Sequence, residues 1–223
     1  PDICTFRDAG GLWDKYPVEQ VATPEGYARN PELVINFYNE RRKQLLDVVP
    51  NAGHLGVADL ERDFNVTVVT QNVDNLHERA GSTHVIHLHG ELTKVCSSRD
   101  PYNPHFVKEL APEEYEVKLG DKAGDGTQLR PFIVWFGESV PEIETAIRYV
   151  EKADIFVIIG TSLNVYPAAG LLNYVPRAAE VYLIDPKPVD THVMRPIHVI
   201  QKGASEGVKE LKALLAATQP PLL

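Results

Sequence analysis

Three short apolar runs constrain the fold of this 223-residue chain more than any other feature. They are Phe64 to Thr70, Asp154 to Gly160 and Glu180 to Ile184, and each is apolar almost throughout. Such runs are typical of strands buried on both faces of a sheet. A helical pattern, Pro141 to Lys152, lies among them. Strands that alternate with helices predict an α/β fold with a Rossmann-like, doubly wound parallel sheet.

Two segments fall outside this alternation and predict a smaller lobe of helix and loop. The first contains Pro31 to Leu46, a helix with Asn30 as its cap, and the second is the polar stretch from Cys96 to Gln128. We expect a single core over residues 1–223. In it, about 51–92 and 129–223 form the Rossmann-like lobe, and about 13–50 and 93–128 form insertions of the small lobe.

The net charge of the chain limits the kinds of macromolecule that it is expected to bind. The chain carries 31 acidic and 22 basic residues, a net charge of −9, which repels a phosphate backbone and argues against nucleic-acid binding. No apolar run is long enough to span a bilayer, and no basic-then-apolar leader opens the chain. We therefore expect a cytoplasmic protein that contacts no membrane, and a lysine-bearing protein is a compatible partner.

Polar or small residues follow each of the three predicted strands. The strand ends read Thr70-Gln71-Asn72, Gly160-Thr161-Ser162 and Asp185. In doubly wound sheets, ligands bind at the carboxyl ends of the strands. Strand ends turn polar in many proteins, so one such end alone carries little information. Three together favour a nucleotide site.

Two motifs at a fixed spacing resemble the signature of the sirtuin family. Thr70 to His77 reads TQNVDNLH, and His87 to Glu91 reads HLHGE. Further matches in the family's order cover nearly the whole chain, and so many ordered motifs are far more specific than a lone one. These further matches are Thr5 to Arg7, Arg130 to Glu138, Gly160 to Ser162 and Gly203 to Gly207. The resemblance implies an enzyme that deacylates protein lysines with NAD as co-substrate.

His89 is the candidate general base. It stands at a predicted strand end, and an imidazole titrates near neutral pH. Histidines are more often structural hydrogen-bonding groups, and His77, His84 and His87 lie nearby. The resemblance selects His89, which occupies the position of the family's base. It implies that the acyl oxygen attacks the nicotinamide ribose, that nicotinamide leaves, and that His89 deprotonates a ribose hydroxyl, yielding free lysine and O-acyl-ADP-ribose.

The resemblance also implies which residues hold NAD. Asn72 and Asp74 match residues that bind the nicotinamide ribose and carboxamide, and Gln71 supports the ribose side. Arg7 matches an arginine that pairs with pyrophosphate, and Phe6 an aromatic that excludes water, although they could be an ordinary surface charge and an ordinary core residue. The remaining cofactor positions are Gly160, Thr161, Ser162, Ala204 and Asp185, the last standing where many relatives carry Asn.

The run from Val134 to Glu138 resembles the family's extended segment that pairs with the substrate peptide as an added strand. Main-chain hydrogen bonds of this kind demand little of the peptide sequence. We expect Val134, Phe136 and Gly137 to contact the peptide. An aromatic core strand is the competing interpretation, and it is compatible with the first because alternate side chains can serve both.

Tyr38 and Arg41 are candidates for reading the acyl group. They are three residues apart on a predicted helix and therefore share one face. A phenol and a guanidinium suit a carboxylate, and Y-x-x-R resembles the acidic-deacylase subgroup, which removes succinyl or malonyl groups. Ala22 fits this subgroup as a small residue at the end of the acyl pocket. The alternative is a solvated helix face, since Glu40 to Lys43 is a run of charges.

The sequence departs from the family in two places. Sirtuins commonly hold a structural zinc through two C-x2-C pairs, whereas this chain has only Cys4 and Cys96, so we expect a lobe without zinc. Relatives also carry a glycine-rich GAG-x-S turn before TFR, and this sequence starts at Pro1 without it. That turn donates main-chain N–H groups to the pyrophosphate, so a chain without it is expected to bind NAD weakly. The alternative is that the protein carries this turn upstream of Pro1.

Two other functions remain as alternatives. One is a conventional deacetylase or ADP-ribosyltransferase on the same scaffold, against which Tyr38 and Arg41 argue. The other is a non-catalytic module that binds NAD or ADP-ribose. The presence of His89, Asn72 and Asp74 argues against the second alternative, while the missing glycine-rich turn supports it.

Overall fold

The computed structural model describes residues 15–160, 168–189 and 195–218. Phe6, Arg7, Thr161 and Ser162 lie outside these ranges. The chain forms two compact units. The first contains the residues up to Val49 with Thr70–Asn75 and His87–Pro141, and the second contains Pro50–Val69, Leu76–Ile86 and the chain from Glu142 onward. The lobe bounds given above stay a prediction. None of the helices in the described ranges is long and apolar enough to cross a membrane.

Four helices open the described chain, and strands with interspersed helices follow. The α-helices are α1 (Val18–Val21), α2 (Pro24–Arg29), α3 (Pro31–Leu46), α4 (Ala52–Asp59), α5 (Leu76–Ala80), α6 (Ile143–Val150) and α7 (Ala204–Thr218). The strands are β1 (Val68–Thr70), β2 (Val85–His87), β3 (Gly90–Ser97), β4 (Lys108–Glu109), β5 (Leu129–Ile133), β6 (Ile155–Ile159), β7 (Glu180–Ile184) and β8 (His198–Ile200).

The first unit packs α3 against an antiparallel sheet of order β4-β3-β5. The helix begins where the sequence predicts, because the Asn30 Oδ1 accepts the Leu33 N–H at 3.1 Å and Pro31 occupies a position that needs no N–H donor. Its buried face meets the sheet in a small apolar cluster of Ile35, Val95 and Val117.

The second unit contains a parallel sheet of order β6-β7-β8, which confirms the predicted α/β class. The helix α7 lies directly on β7, since a Cβ at Gly207 would come within 2.2 Å of the Ile184 side chain. The helix α4 approaches α7 just as closely, because a Cβ at Gly56 would lie 2.7 Å from Val208. The core of this unit joins sheet and helix through Tyr182, Ile184, Ile200, Val208, Leu211 and Leu215.

The predicted strands differ from the observed ones mainly in length. The run from Phe64 begins with a helical turn, since the Phe64 N–H donates to the Leu60 carbonyl at 2.9 Å, and only Val68–Thr70 is a strand. The phenyl ring of Phe64 packs on the apolar core of the second unit, which accounts for its hydrophobicity. The third predicted strand, Glu180 to Ile184, is observed with the same bounds.

Candidate active site

The chain that follows β1 is joined to the chain that follows β2 by main-chain hydrogen bonds. The Leu88 N–H donates to the Thr70 carbonyl at 2.9 Å, and the Leu92 N–H donates to the Val73 carbonyl at 2.7 Å. The Thr70 Oγ1 accepts the Asn72 N–H at 3.0 Å, which turns the chain at the strand end. These bonds bring the predicted nicotinamide-side residues, from Gln71 to Asp74, beside the His89 segment within the first unit.

His89 is held by one ring nitrogen. Its Nδ1 lies 3.2 Å from the Gln71 carbonyl oxygen, and because a carbonyl only accepts, Nδ1 carries the proton. The Nε2 therefore keeps its lone pair, and among the described residues it has no hydrogen-bond partner. Burial lowers the pKa of His89, while the bond to Gln71 acts in the opposite direction. A half-buried, neutral imidazole with an unbound Nε2 is suited to accept a proton at neutral pH.

Two neighbouring histidines are also held through Nδ1. His87 is 8% exposed, and its Nδ1 lies 3.0 Å from the Asn72 carbonyl oxygen. The His84 Nδ1 bonds the Thr67 hydroxyl at 2.9 Å. These hydrogen bonds alone do not distinguish His89 from its neighbours, so its selection as the base rests on the resemblance of its motif.

Tyr38 is enclosed by partners within the fold. Its hydroxyl donates to the Val21 carbonyl at 3.0 Å and accepts from the Trp135 Nε1 at 3.1 Å, and only 2% of the residue is exposed. Burial raises its pKa to about 12. The single proton of the phenol is therefore bound by the Val21 carbonyl. Nothing in the sequence predicts this contact. To donate to a ligand, the hydroxyl has to leave that carbonyl.

Arg41 lies one turn further along α3 and is also buried, with 7% exposed. Its guanidinium carbon lies 5.8 Å from the centre of the Phe37 ring. Burial lowers its pKa, and the charges of Tyr38 and Asp74 oppose this. A desolvated guanidinium that is coupled to Asp74 links the predicted acyl-reading helix to the predicted nicotinamide-side segment, all within the first unit.

The solvated-helix alternative holds for only half of the charge run. Glu40 and Lys43 are exposed, but Arg42 is 4% exposed. The Arg42 Nε donates to the Tyr115 carbonyl at 2.8 Å, and its Nη2 donates to the Asn39 Oδ1 at 2.7 Å. Asn39 in turn exchanges two hydrogen bonds with the main chain of Val117, at 2.7 and 2.9 Å. Arg42 therefore ties α3 to the inserted segment.

The predicted peptide-pairing segment continues irregularly beyond β5. The Glu138 N–H donates to the Trp135 carbonyl at 3.0 Å, and Gly137 has φ of +90°, so the segment closes in a tight turn that favours glycine. Phe136 is 67% exposed on this turn. The Phe136 N–H donates to the Ala22 carbonyl at 3.0 Å, and the Val134 N–H donates to the His89 carbonyl at 2.9 Å.

Sequence reasoning missed the buried charges behind this segment. The Arg130 side chain pairs with the Glu138 carboxylate at 3.0 Å, and the two side chains are 5% and 14% exposed. One signal could have indicated the pair. Arg130 and Glu138 are the only charged residues of the apolar run RPFIVWFGE, and charges in such a run need a partner if they are buried.

The predicted adenosine-side residues lie in the second unit. Gly160 follows β6 with φ of +65°, and a Cβ built there would meet no atom within 4 Å. Asp185 follows β7, and its Oδ1 accepts the Lys187 N–H at 2.8 Å, which leaves its other oxygen for a ligand. Ala204 is the first residue of α7, where main-chain N–H groups lack helical acceptors. These positions match the carboxyl-end location that doubly wound sheets use.

The family of this chain is identified by its similarity to known proteins. Residues 2–167 match the model of the Sir2 family. The chain belongs to this family, the sirtuins. A relative from Bacteroides thetaiotaomicron, named NAD-dependent protein deacylase, is 84% identical over 213 residues, which cover 96% of this chain and 91% of the relative. A protein of the same name from Helicobacter pylori strain 26695 is 47% identical over 209 residues, covering 94% and 89%.

Solved sirtuin structures share the fold. A Sir2 homologue in complex with NAD superposes with a TM-score of 0.81 at 36% identity, covering 97% of this chain and 85% of that chain. A mutant Sir2 homologue in complex with ADP-ribose also has a TM-score of 0.81, at 34% identity and 98% and 89% coverage. The sirtuin fold of the present chain follows from these similarities.

The four-cysteine zinc site of many sirtuins cannot form within the described residues, because Cys96 is the one cysteine among them. Cys96 is fully buried, and its thiol contacts the Pro131 carbonyl at 3.7 Å. Burial raises its pKa to about 12, whereas a zinc ligand must be a thiolate. A hydrogen-bonded cluster occupies the neighbouring chain instead. The buried Ser97 hydroxyl donates to Asp125 at 2.6 Å, and the Thr127 hydroxyl donates to the same carboxylate at 2.7 Å.

Proposed function

We propose that this sirtuin is an NAD-dependent protein-lysine deacylase that removes acidic short-chain acyl groups such as succinyl and malonyl. The observation that carries the deacylase proposal is the His89 ring, which is fixed by Gln71 through Nδ1 and has no hydrogen-bond partner at Nε2 among the described residues. The names of the relatives from B. thetaiotaomicron and H. pylori support the same activity. The acidic preference rests on the buried guanidinium of Arg41.

His89 acts as the general base. Bound NAD supplies an electrophilic ribose carbon with nicotinamide as its leaving group, and the acyl oxygen of the modified lysine is the nucleophile. The Nε2 of His89 takes the proton from a ribose hydroxyl, while Nδ1–H stays on the Gln71 carbonyl. That carbonyl stabilises the imidazolium as it forms, because a donated hydrogen bond strengthens when the ring becomes charged.

Within the first unit, Asn72 and Asp74 hold the nicotinamide and its ribose. Within the second unit, Asp185 accepts from the adenosine ribose hydroxyls, and the main chain at Gly160 and Ala204 contacts the phosphates. Arg7, Phe6, Thr161 and Ser162 complete the cofactor set on sequence grounds.

Arg41 and Tyr38 contribute unequally to acyl recognition. A guanidinium forms two parallel bonds to a carboxylate, and those bonds are strong when the pair is desolvated. Arg41 is buried, and a guanidinium stays protonated, so it can bind an anion without a change of protonation state. Tyr38 must give up its bond to the Val21 carbonyl before it can donate to a substrate. Arg41 therefore supplies most of the preference.

The substrate peptide lies along Val134 to Gly137, beside the pocket wall formed by Ala22. The exposed ring of Phe136 covers part of the bound peptide, and the turn at Gly137 ends the contact. Hydrogen bonds of Ser97, Asp125 and Thr127 stabilise the lobe that carries this segment.

An acyl-peptide panel tests the proposal. The full-length protein is incubated with NAD and matched acetyl-, malonyl- and succinyl-lysine peptides, and kcat/KM is measured from product formation. We expect the acidic peptides to be preferred. Arg41→Met should reduce their transition-state binding by about 1.5–3 kcal/mol through loss of a charged hydrogen bond, and Tyr38→Phe should cost less.

Lys43→Met is the matched control, since Lys43 is an exposed cation on the same helix. A preference for acetyl-lysine, or an Arg41→Met variant as active as the control variant, would reject the acidic proposal. Conventional deacetylation is the second candidate, and it is favoured by the engagement of the Tyr38 proton with Val21. It predicts that acetyl-lysine is preferred and that both α3 variants retain this preference.

A further inference from the structure

The segment from Val134 to Glu138 is braced from within by one buried charge pair. The Arg130 guanidinium donates through Nη1 to the Glu138 Oε2 at 3.1 Å and through Nη2 to its Oε1 at 3.0 Å. Its Nη2 also donates to the Ile133 carbonyl at 2.8 Å. The guanidinium carbon lies 3.8 Å from the centre of the Trp135 ring. One planar cation thus contacts the residue before the segment, Trp135 within it and Glu138 at its end.

Glu138 completes the brace with its carboxylate. Besides Arg130, its Oε1 accepts the Trp135 main-chain N–H at 2.8 Å and the Tyr102 hydroxyl at 3.1 Å. Three donors therefore converge on one oxygen. Since each donor comes from a different place in the chain, the carboxylate fixes the segment against β5 and against the inserted loop that carries Tyr102.

The braced segment contacts three groups that the proposed function uses. The Val134 N–H binds the carbonyl of His89, and the Phe136 N–H binds the carbonyl of Ala22. The Trp135 Nε1 binds the hydroxyl of Tyr38 at 3.1 Å. The base, the pocket wall and the acyl-reading helix are therefore each tied to the segment by one hydrogen bond.

We propose that Arg130 and Glu138 are positioning residues for the acyl-lysine substrate, holding the peptide-binding segment in register with His89, Ala22 and Tyr38. The proposal rests on the proposed function, because it assumes that the segment receives the substrate. Neither residue is assigned a contact with a reacting atom. Their effect passes through Trp135 and through the main chain of Val134 and Phe136.

The chemistry of the pair favours positioning over simple stabilisation. A buried ion pair is often no more stabilising than apolar residues of the same volume, because both charges lose their hydration. It does fix geometry, since a planar guanidinium and a carboxylate have only a few orientations in which all their bonds are made. Small displacements of groups that orient a substrate are costly, about 100-fold in rate for a shift of about 1 Å.

Steady-state kinetics of conservative variants test the inference. Arg130→Lys keeps the charge but loses the two parallel bonds and the planar stack on Trp135. Glu138→Gln keeps an acceptor oxygen but loses the charge. For both variants we expect the KM of the acyl-lysine peptide to rise about 10- to 100-fold, with kcat and the KM of NAD changed less than about threefold. The double variant should be no worse than the more damaged single one, because the residues act as a unit.

Arg42→Lys is the matched control. Arg42 is equally buried in the same unit and also bonds main-chain carbonyls, but its hydrogen bonds go to Tyr115, Leu92 and Asn39, which lie outside the segment. It should lower the Tm by a similar amount and leave the peptide KM unchanged. Equal effects of Arg42→Lys and Arg130→Lys on the peptide KM would overturn the inference, as would a fall in kcat alone.

Failure of the proposed function and failure of the positioning role would give different results. A wild-type protein that releases no nicotinamide with any acyl-lysine peptide rejects the proposed function, and the positioning role with it. A wild-type protein that turns these peptides over, with an Arg130→Lys variant of the same peptide KM, rejects the positioning role and leaves the proposed function intact.

Discussion

The helix α3 buries polar and charged side chains on two faces, and their interactions differ between the faces. On one face, Asn39 and Arg42 place their hydrogen bonds on Tyr115 and Val117, so the fold itself engages these groups. On the other face, Arg41 is equally buried but is coupled by charge to Asp74, beside the predicted nicotinamide-side residues. The comparison teaches that burial of an arginine does not indicate its role. The identity of the groups around it does.

The largest expected difference between lost activity and lost stability comes from replacing His89, because the fold does not depend on its imidazole. His89→Asn keeps a polar side chain that can reach the Gln71 carbonyl but removes the base nitrogen Nε2. We expect kcat to fall by about 10²- to 10⁴-fold, the usual contribution of general acid–base catalysis, with the Tm nearly unchanged. Activity of the variant near the wild-type level would reject the assigned base.

The same residue predicts a pH profile for the wild-type protein. The neutral ring is the active form, and burial lowers the pKa of His89 below its ordinary value of 6.5. The kcat/KM should therefore be constant near neutral pH and decline only as the pH falls below 6.5 through that lowered pKa. An acid limb centred above 6.5 would contradict the neutral tautomer proposed from the bond to Gln71.

The structural face of α3 should show the opposite pattern. Arg42→Met removes donors from the Tyr115 carbonyl and from Asn39 in a buried setting, and we expect a loss of about 3 kcal/mol in the free energy of unfolding. Urea titration monitored by circular dichroism measures this loss. Arg41→Met should lose less stability and more activity toward acidic acyl groups. If the two variants lose equal stability and equal activity, the two faces are not functionally distinct.

The smallest expected effect concerns the hydrogen bonds among Ser97, Asp125 and Thr127, which follow Cys96 in the lobe where many sirtuins bind zinc. The hydroxyls of Ser97 and Thr127 lower the pKa of Asp125 from 3.8 to about 2. A lowered carboxyl pKa stabilises the fold above the unfolded value, and this stabilisation is lost as the pH falls from about 4 toward 2. The Tm of Asp125→Asn should therefore lie below that of the wild type at pH 6, and the gap should narrow near pH 2.

Metal analysis provides the control for that cluster. We expect purified protein to carry no stoichiometric zinc, and a chelator to leave its Tm unchanged, because Cys96 is buried on the Pro131 carbonyl. About one zinc per chain, or a large drop in Tm with the chelator, would show that the hydrogen bonds of Ser97 and Asp125 do not replace a metal.

Several features of the site were predictable because their signals are local. The cap at Asn30 with Pro31 behind it fixed the start of α3, and a continuous apolar run located β7. The polar residues after β1 predict a ligand site because doubly wound sheets bind ligands at the carboxyl ends of their strands, and this assignment stays a prediction. In each case the information lies within a few residues of the feature.

By itself, the sequence determined the α/β class, the family motifs, and the placement of Tyr38 and Arg41 one turn apart on a helix. Only the tertiary structure decided that the Tyr38 proton binds Val21, that Arg42 bonds the Tyr115 carbonyl, and that Arg130 stacks on Trp135. The physical reason is the separation of the partners. Trp135 is 97 residues from Tyr38, and Val117 is 78 from Asn39, so no local periodicity reports these contacts.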